Sequence, residues 1–194
     1  MAESPQSRPR SEQTVRGLLM SLIPLALLAL VIGGLTGKCS FSPGGPNTQG
    51  AVVRTVDAGA QVPRLARSVA FPVRVPRLPP GWRTTSVDLE RAGRAAGAPG
   101  VVQLDWLTPA GDYLRLSQSS ASEAALVPFE VGEPKAATGV VQLQGRNWVV
   151  YPGRRDERVW VADLGAVRLL ITGSAQEPDF RTLATATLAA PTVD

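Results

Sequence analysis

The feature that most constrains this chain is one uncharged apolar run, which begins at Leu18 and ends at Leu35. At a helical rise of about 1.5 Å per residue, the run spans roughly 27 Å, close to the roughly 30 Å hydrocarbon core of a bilayer. We therefore assign residues 18–36 to a single transmembrane helix, through which the protein contacts the membrane. Everything that follows must lie on one side of that membrane.

The basic residues on either side of the run predict its orientation. Arg8, Arg10 and Arg16 precede the run, whereas only Lys38 follows it closely. Because the excess of basic residues usually stays in the cytoplasm, we expect a cytoplasmic N-terminus and an extracytoplasmic C-terminal domain. Residues 1–17 are polar and rich in Ser, Pro and Arg, a composition that predicts a disordered tail.

Two other readings of the run are a cleaved signal peptide and a lipoprotein signal. No Ala-X-Ala site follows the run, and the small residues at its end, Gly34 and Thr36, are a poor substitute for one. Cys39 lies where a lipidated cysteine would, but Lys38 occupies the preceding position, where a small residue is needed. The sequence therefore favours a retained anchor.

Composition divides the remainder into a linker and one domain. Residues 37–60 are rich in Gly and Pro and show little hydrophobic periodicity, which predicts a flexible linker. Residues 61–191 then form a single extracytoplasmic domain of ordinary size.

The residues that are missing exclude several classes of chemistry. The chain has no histidine and one cysteine, so it lacks the commonest general base, an intrachain disulfide and a cysteine zinc cluster. No glycine-rich phosphate loop opens a helix. A net charge of +4 reflects a small excess of arginine and no concentrated basic face, so nucleic acid is not an expected partner. We predict no catalytic residue, no cofactor and no metal.

Hydrophobic periodicity predicts a helix followed by hairpins. Val62, Leu65, Ala66 and Val69 recur at helical spacing, and the helix should end before Pro72. Alternating strand-like segments then occupy residues 84–89, 101–107, 113–118, 140–151, 159–164 and 167–172. In the second strand, Trp106 and the two alternate residues before it form the predicted buried face, whereas Asp105 lies on the other. The turn at 109–112 should pair this strand with the next as a hairpin.

The sequence does not decide the local structure of two segments. Residues 119–127 are compatible with a helical turn or a loop, and Gly145 with Arg146 and Asn147 is compatible with a tight turn or a bulge. Near the C-terminus, Ser174 is a plausible cap of a helix with Glu177 three positions on. Its apolar stripe comprises Phe180, Leu183, Ala184, Thr187 and Leu188.

Together these patterns predict an α+β fold. It consists of a mostly antiparallel sheet of hairpins with a short N-terminal helix and a C-terminal amphipathic helix packed on one face, preceded by a single transmembrane helix.

Two catalytic arrangements can be weighed against structural explanations. Serines 117, 119, 120 and 122 would need Lys135 as their base, since no histidine exists, and a solvated strand end is the simpler explanation. Paired carboxylates for glycoside hydrolysis could come from Asp88, Glu90, Asp105 and Asp112, but acids on a half-exposed strand are expected anyway.

Arginines and aromatic side chains supply the candidate ligand or partner surface. Arg154, Arg155 and Arg158 fall in a turn, where they could bind an anionic headgroup or wall polymer, although internal ion pairs with Asp156 and Glu157 are expected there. The four tryptophans at 82, 106, 148 and 160 are expected to fill the core. The candidate surface is Arg154, Arg155, Arg158, Trp106 and Tyr113.

Several motifs together resemble a known family. They are AFPVRVPRLPPGW at residues 70–82, WLTPAGDYLRLSQS at 106–119, the G-x-x-W at 145–148 and VRLLITGSA at 167–175. With the N-terminal anchor, they resemble the actinobacterial membrane-anchored domain of unknown function 4245. The resemblance implies an extracytoplasmic single-pass protein and brings no activity, ligand or catalytic residue.

From the sequence we expect a non-enzymatic binding module of the cell envelope, whose partner is an envelope protein or polymer. The alternative is a carboxylate-dependent envelope hydrolase.

Overall fold

A computed structural model describes residues 55–193, together with Met20, residues 22–24 and Leu28. These five N-terminal residues are helical and exposed. The rest of the predicted tail and transmembrane helix, and residues 37–54 of the predicted linker, lie outside the described residues. Within the described part of the chain, no helix has both the length and the apolar character needed to cross a membrane.

The domain contains three helices and nine strands within residues 55–193. In chain order they are α1 (Ala58–Ala66), β1 (Val73–Arg74), β2 (Arg83–Arg91), β3 (Gly100–Leu107), β4 (Tyr113–Ser119), α2 (Glu123–Val131), β5 (Gly139–Leu143), β6 (Arg146–Pro152), β7 (Arg158–Asp163), β8 (Arg168–Gly173), α3 (Glu177–Ala189) and β9 (Thr192–Val193). Seven strands form one antiparallel sheet in the order β2-β3-β4-β8-β7-β6-β5, and β1 pairs with β9. The predicted α+β class and its antiparallel hairpins are confirmed.

Helices α1 and α3 bury the first face of the large sheet. The apolar stripe of α3 packs here, and Trp160 lies between Phe180 and Trp148, with ring centroids 5.4 and 6.3 Å apart. Trp106 is also buried in this core, and Trp82 packs against it. The core role predicted for the tryptophans is confirmed.

The start of α1 lies within the segment predicted to be linker. Asp57 caps the helix by accepting a hydrogen bond from the Ala60 N–H at 3.2 Å. Val56 packs against the core and donates its N–H to the Thr84 carbonyl at 3.0 Å. Residues 56–60 therefore belong to the folded domain, because they bury apolar surface and pair with β2.

Helix α2 covers part of the second face, which the sequence did not anticipate. Its residues Leu126, Val127 and Val131 pack on apolar side chains of β3, β7 and β8. As a result, Gln103 and Asp105 are buried, although the alternation predicted that their face of β3 was exposed. That prediction is wrong because β3 is an inner strand that is covered on both sides.

The structure decides between the alternatives for the two undecided segments, and the predicted N-cap of the C-terminal helix is wrong. Residues 123–127 of the first segment are helical, in α2. The β5–β6 turn consists of Gln144 and Gly145, both with positive φ (53° and 70°), whereas Arg146 and Asn147 lie in β6. Helix α3 begins after Gln176 rather than at Ser174. Ser174 instead exchanges hydrogen bonds with the backbone of Tyr113, which keep it at the end of the sheet.

Gln118 joins the small sheet to the large one. Its side-chain amide accepts a hydrogen bond from the Arg74 N–H and donates one to the Arg74 carbonyl, both at 2.8 Å. The side chain of Gln118 therefore supplies the two backbone hydrogen bonds that a neighbouring strand would form with Arg74 of β1.

Candidate ligand-binding cleft

A buried polar network lies on the second face of the sheet, beside α2. Asp105 on β3 is directly opposite Arg115 on β4. The carboxylate accepts two hydrogen bonds from the Arg115 guanidinium, at 2.8 and 2.9 Å, and one from the Ser86 hydroxyl at 3.0 Å. Bidentate pairing of this kind fixes the guanidinium in one orientation.

Glu130 brings a second carboxylate to the same network from α2. Its Oε1 accepts hydrogen bonds from the Gln103 amide at 2.8 Å and from the Ser117 hydroxyl, and its Oε2 is 3.8 Å from Arg115 Nη1. The side chains of Asp105 and Glu130 are only 9% and 5% exposed. Arg115 is therefore the cation that compensates two nearly buried carboxylates.

Tyr113 stands at the open end of the network. The Arg115 guanidinium lies over its ring, 5.9 Å from the centroid. Burial, together with the negative charge of Asp105, raises the pKa of Tyr113 above its usual range. The hydrogen bond to Asp105 raises the pKa of Arg115. Tyr113 is therefore neutral and Arg115 charged throughout the physiological range.

Next to this network is a polar cleft with a volume of about 300 Å³, which we name the arginine cleft. It lies between β4, β8, the C-terminal end of α2 and the β6–β7 turn. Its polar lining comprises Tyr113, Arg115, Glu130, Arg154, Arg155, Glu157 and Thr172. The volume lies at the lower end of the range of small-ligand sites.

The turn at the mouth of the cleft lacks the internal ion pairs that the sequence predicted. In the described part of the chain, no carboxylate lies within 4 Å of the guanidinium groups of Arg154 and Arg155, and Arg158 pairs with Glu177 on α3 at 3.6 Å. Arg155 and its neighbour Asp156 adopt left-handed backbone conformations, with φ of 48° and 65°. This is an uncommon conformation for residues with a β-carbon.

Gly132 helps to place Arg154. A Cβ added to this glycine would lie only 3.3 Å from an Nη atom of Arg154, so the guanidinium rests against the end of α2. Cations are favoured at the C-terminal end of a helix because of its dipole.

The structure brings together three of the five residues of the predicted surface. Tyr113, Arg154 and Arg155 line the arginine cleft, and Arg158 lines an adjacent cleft of about 390 Å³ at the start of α3. Trp106 does not belong to this surface, because its side chain is buried in the core of the opposite face. The prediction of Trp106 as a surface residue is therefore wrong.

Sequence reasoning missed Arg115, Glu130 and Thr172. A signal for Arg115 was present, since its charge is opposite to that of Asp105 and the 109–112 turn places the two residues near each other on one face. Glu130 and Thr172 reach the cleft through α2 and through the pairing of β4 with β8, which local patterns do not reveal.

The proposed serine and carboxylate chemistries receive no geometric support in the described residues. Ser117 donates to Glu130, whereas Lys135 pairs with Glu133, so serine and lysine have separate partners. Asp105 already accepts three hydrogen bonds, and Asp88 lies exposed on the edge strand opposite Gln103. Among these residues there is also no group of three or more side chains suited to hold a metal ion.

Sequence comparison supplies the family. The chain matches over residues 10–187 the family described as "Protein of unknown function (DUF4245)". No curated protein and no solved structure is significantly similar to the chain. The match covers the buried polar network, the arginine cleft and nearly all of the domain, so the resemblance carried by the proline-rich and hairpin motifs is confirmed: the chain belongs to the DUF4245 family.

Proposed function

We propose that this protein is a single-pass membrane protein with a cytoplasmic N-terminus, whose extracytoplasmic domain is a non-enzymatic binding module of the cell envelope. The observation that carries the binding role is the arginine cleft. There Arg154 and Arg155, which have no carboxylate partner within residues 55–193, lie beside Arg115, whose orientation is fixed by Asp105. Support for the anchor comes from the uncharged run of residues 18–35.

The state of the carboxylates supports binding over hydrolysis. A general base or nucleophile needs a lone pair directed at the substrate. Asp105 instead accepts three hydrogen bonds, and Oε1 of Glu130 accepts two. If cell-wall glycans were cleaved by the wild-type chain but not by Asp105→Asn, the non-enzymatic proposal would be refuted.

A capture experiment tests the binding role. The full chain and a matched chain that ends after Gly50 are each immobilised and exposed to solubilised envelope material. We expect an envelope component to be retained by the full chain alone. Equal retention by both chains, or retention by neither, would count against a binding function for the domain.

Protease accessibility tests the orientation. Protease added to intact spheroplasts should degrade residues 55–193 and spare the N-terminal tail. Protection of the domain until the spheroplasts are lysed would show the opposite topology.

A further inference from the structure

We propose that the arginine cleft is a binding site for a phosphate group, of the kind carried by envelope polymers and membrane lipids. This inference rests on the proposed binding function and names the chemistry of its ligand.

The arginine cleft contains an excess of hydrogen-bond donors. Arg154 and Arg155 line it, and no carboxylate in residues 55–193 lies within 4 Å of their guanidinium nitrogens. Arg115 also lines the cleft, and its Nη1 is 3.8 Å from Oε2 of Glu130, beyond hydrogen-bond length. Three guanidinium groups therefore have N–H donors that protein carboxylates leave unused.

The acids nearest to Arg115 already accept hydrogen bonds from groups of the protein. Asp105 accepts both hydrogen bonds of its bidentate pair from Arg115, and Glu130 is bound by Gln103 and Ser117. Glu157 is the remaining acid in the lining, and it has no ion pair within residues 55–193. With Asp105 behind Arg115, three carboxylates balance the three arginines of the site, so the attraction for an anion comes from the guanidinium groups of Arg154 and Arg155, which are exposed and unpaired within the described part of the chain.

Part of the site is already organised before a ligand binds. Asp105 fixes Arg115, whose side chain is only 28% exposed, and Gly132 leaves the space in which the Arg154 guanidinium rests. A ligand therefore needs to immobilise fewer side chains, which lowers the entropic cost of binding.

The number and placement of the donors favour phosphate over carboxylate. The guanidinium group of an arginine can donate two parallel hydrogen bonds to either anion. A carboxylate has two oxygens in one plane, whereas a phosphate group presents several oxygens around a tetrahedral centre. Arg115 on the sheet, Arg154 and Arg155 on the turn and the Thr172 hydroxyl on β8 approach the cleft from different elements. This arrangement suits a tetrahedral anion.

Equilibrium dialysis with radiolabelled inorganic phosphate tests the site directly. The full chain is kept in a non-ionic, phosphate-free detergent at constant ionic strength. In Arg154→Gln/Arg155→Gln, the affinity for phosphate should fall by about tenfold or more, because charge-assisted hydrogen bonds are lost. Both residues are exposed, so the variant should unfold at the same temperature as the wild-type chain.

The matched control is Arg64→Gln/Arg67→Gln, which removes the same charge from exposed residues at the end of α1. Its phosphate affinity should stay within about twofold of the wild-type value. Equal loss in both double variants would show nonspecific attraction to net charge and overturn the site. Unchanged binding in Arg154→Gln/Arg155→Gln, or equal competition by acetate, would overturn it as well.

Competition assays separate the two sources of phosphate. Soluble poly(glycerol phosphate) that displaces the label supports a polymer ligand, whereas vesicles of phosphatidylglycerol that displace it support a lipid headgroup. Failure of both to compete would refute an envelope ligand at the cleft. If the domain still captured an envelope component in that case, the binding function would stand, and only the assignment of an envelope phosphate to the cleft would fall.

Discussion

The buried network predicts a large and specific effect of Arg115→Met on stability. The variant leaves the carboxylates of Asp105 and Glu130, 9% and 5% exposed, without their shared cation. Removing one partner of a buried ion pair costs about 3–5 kcal/mol. Because the side chain of Arg115 is 28% exposed, solvent reduces this cost, and we expect the free energy of unfolding to fall by about 2–4 kcal/mol.

Urea unfolding of the full chain in non-ionic detergent, followed by tryptophan fluorescence, measures this loss. All four tryptophans, at 82, 106, 148 and 160, lie within the domain, so the signal reports its unfolding alone. Arg158→Met is the matched control, because Arg158 forms an exposed pair with Glu177 at 3.6 Å. The control should lose no more than about 0.5 kcal/mol.

A double-mutant cycle tests the explanation for the loss. Adding Asp105→Asn to Arg115→Met removes one of the two uncompensated charges, so the double variant should recover about 1 kcal/mol or more relative to Arg115→Met. If the two changes were additive within about 0.5 kcal/mol, Arg115 would not act through Asp105 and the network would not be the cause.

Three further predictions concern other parts of the fold. Gln118→Leu leaves the N–H and carbonyl of Arg74 without partners and should cost about 2–4 kcal/mol in urea unfolding. Gly173→Ala places a Cβ 2.1 Å from the Tyr113 carbonyl oxygen at a φ of 150°, which should cost about 3 kcal/mol or more. In an ultraviolet titration, Tyr113 and Tyr151, the chain's only tyrosines, should ionise well above pH 10, because burial raises the pKa of Tyr151 to about 12 and that of Tyr113 further. Their folded pKa values exceed the unfolded ones, so this contribution to stability is complete below pH 10 and is lost as the pH rises towards 12 and beyond.

The two substitutions each have a matched control within the domain. Gln142→Leu, on the exposed part of β5, should leave stability nearly unchanged, and a similar loss in both glutamine variants would refute the bridging role of Gln118. Gly111→Ala also has a positive φ (92°) but open space around it, so it should cost about 1 kcal/mol; a cost as high as that of Gly173→Ala would contradict the steric argument. Tyrosine ionisation near pH 10 in the folded chain would contradict the burial of the two phenols.

Local patterns predicted much of the fold because the strands are short and alternate clearly. The hairpin of β3 and β4 and the buried stripe of α3 follow from periods of two and of about 3.6 residues. The same alternation failed for the second face of β3, since periodicity does not report whether another element covers a face. That element, α2, was not predicted, because its first residues belong to the Ser- and Ala-rich segment 119–127, which is compatible with a helical turn or a loop.

The candidate cleft could be predicted only in part. The arginine-rich turn could be recognised in the sequence. Arg115 and Thr172, however, become neighbours only because β4 pairs with β8, and more than 50 residues separate them along the chain. Left-handed backbone at Arg155 and Asp156 also gave no local signal, because neither residue type demands it. The ion pairs expected within the turn were inferred only from the proximity of the residues in sequence. In the structure, Arg158 at the start of β7 instead pairs with Glu177 on α3.

The order of strands in the large sheet has a consequence for biosynthesis. Strands β2 to β4 and β5 to β8 are each sequential meanders, and the two halves meet only where β4 pairs with β8. As the chain is made from its N-terminus, β4 therefore keeps an unpaired edge until residue 173 has emerged, and the core awaits α3 after that. A chain truncated before residue 168 should expose this edge, and one truncated between residues 174 and 180 should uncover the apolar face that α3 covers. Both should aggregate, because unpaired strand edges and uncovered apolar faces promote association.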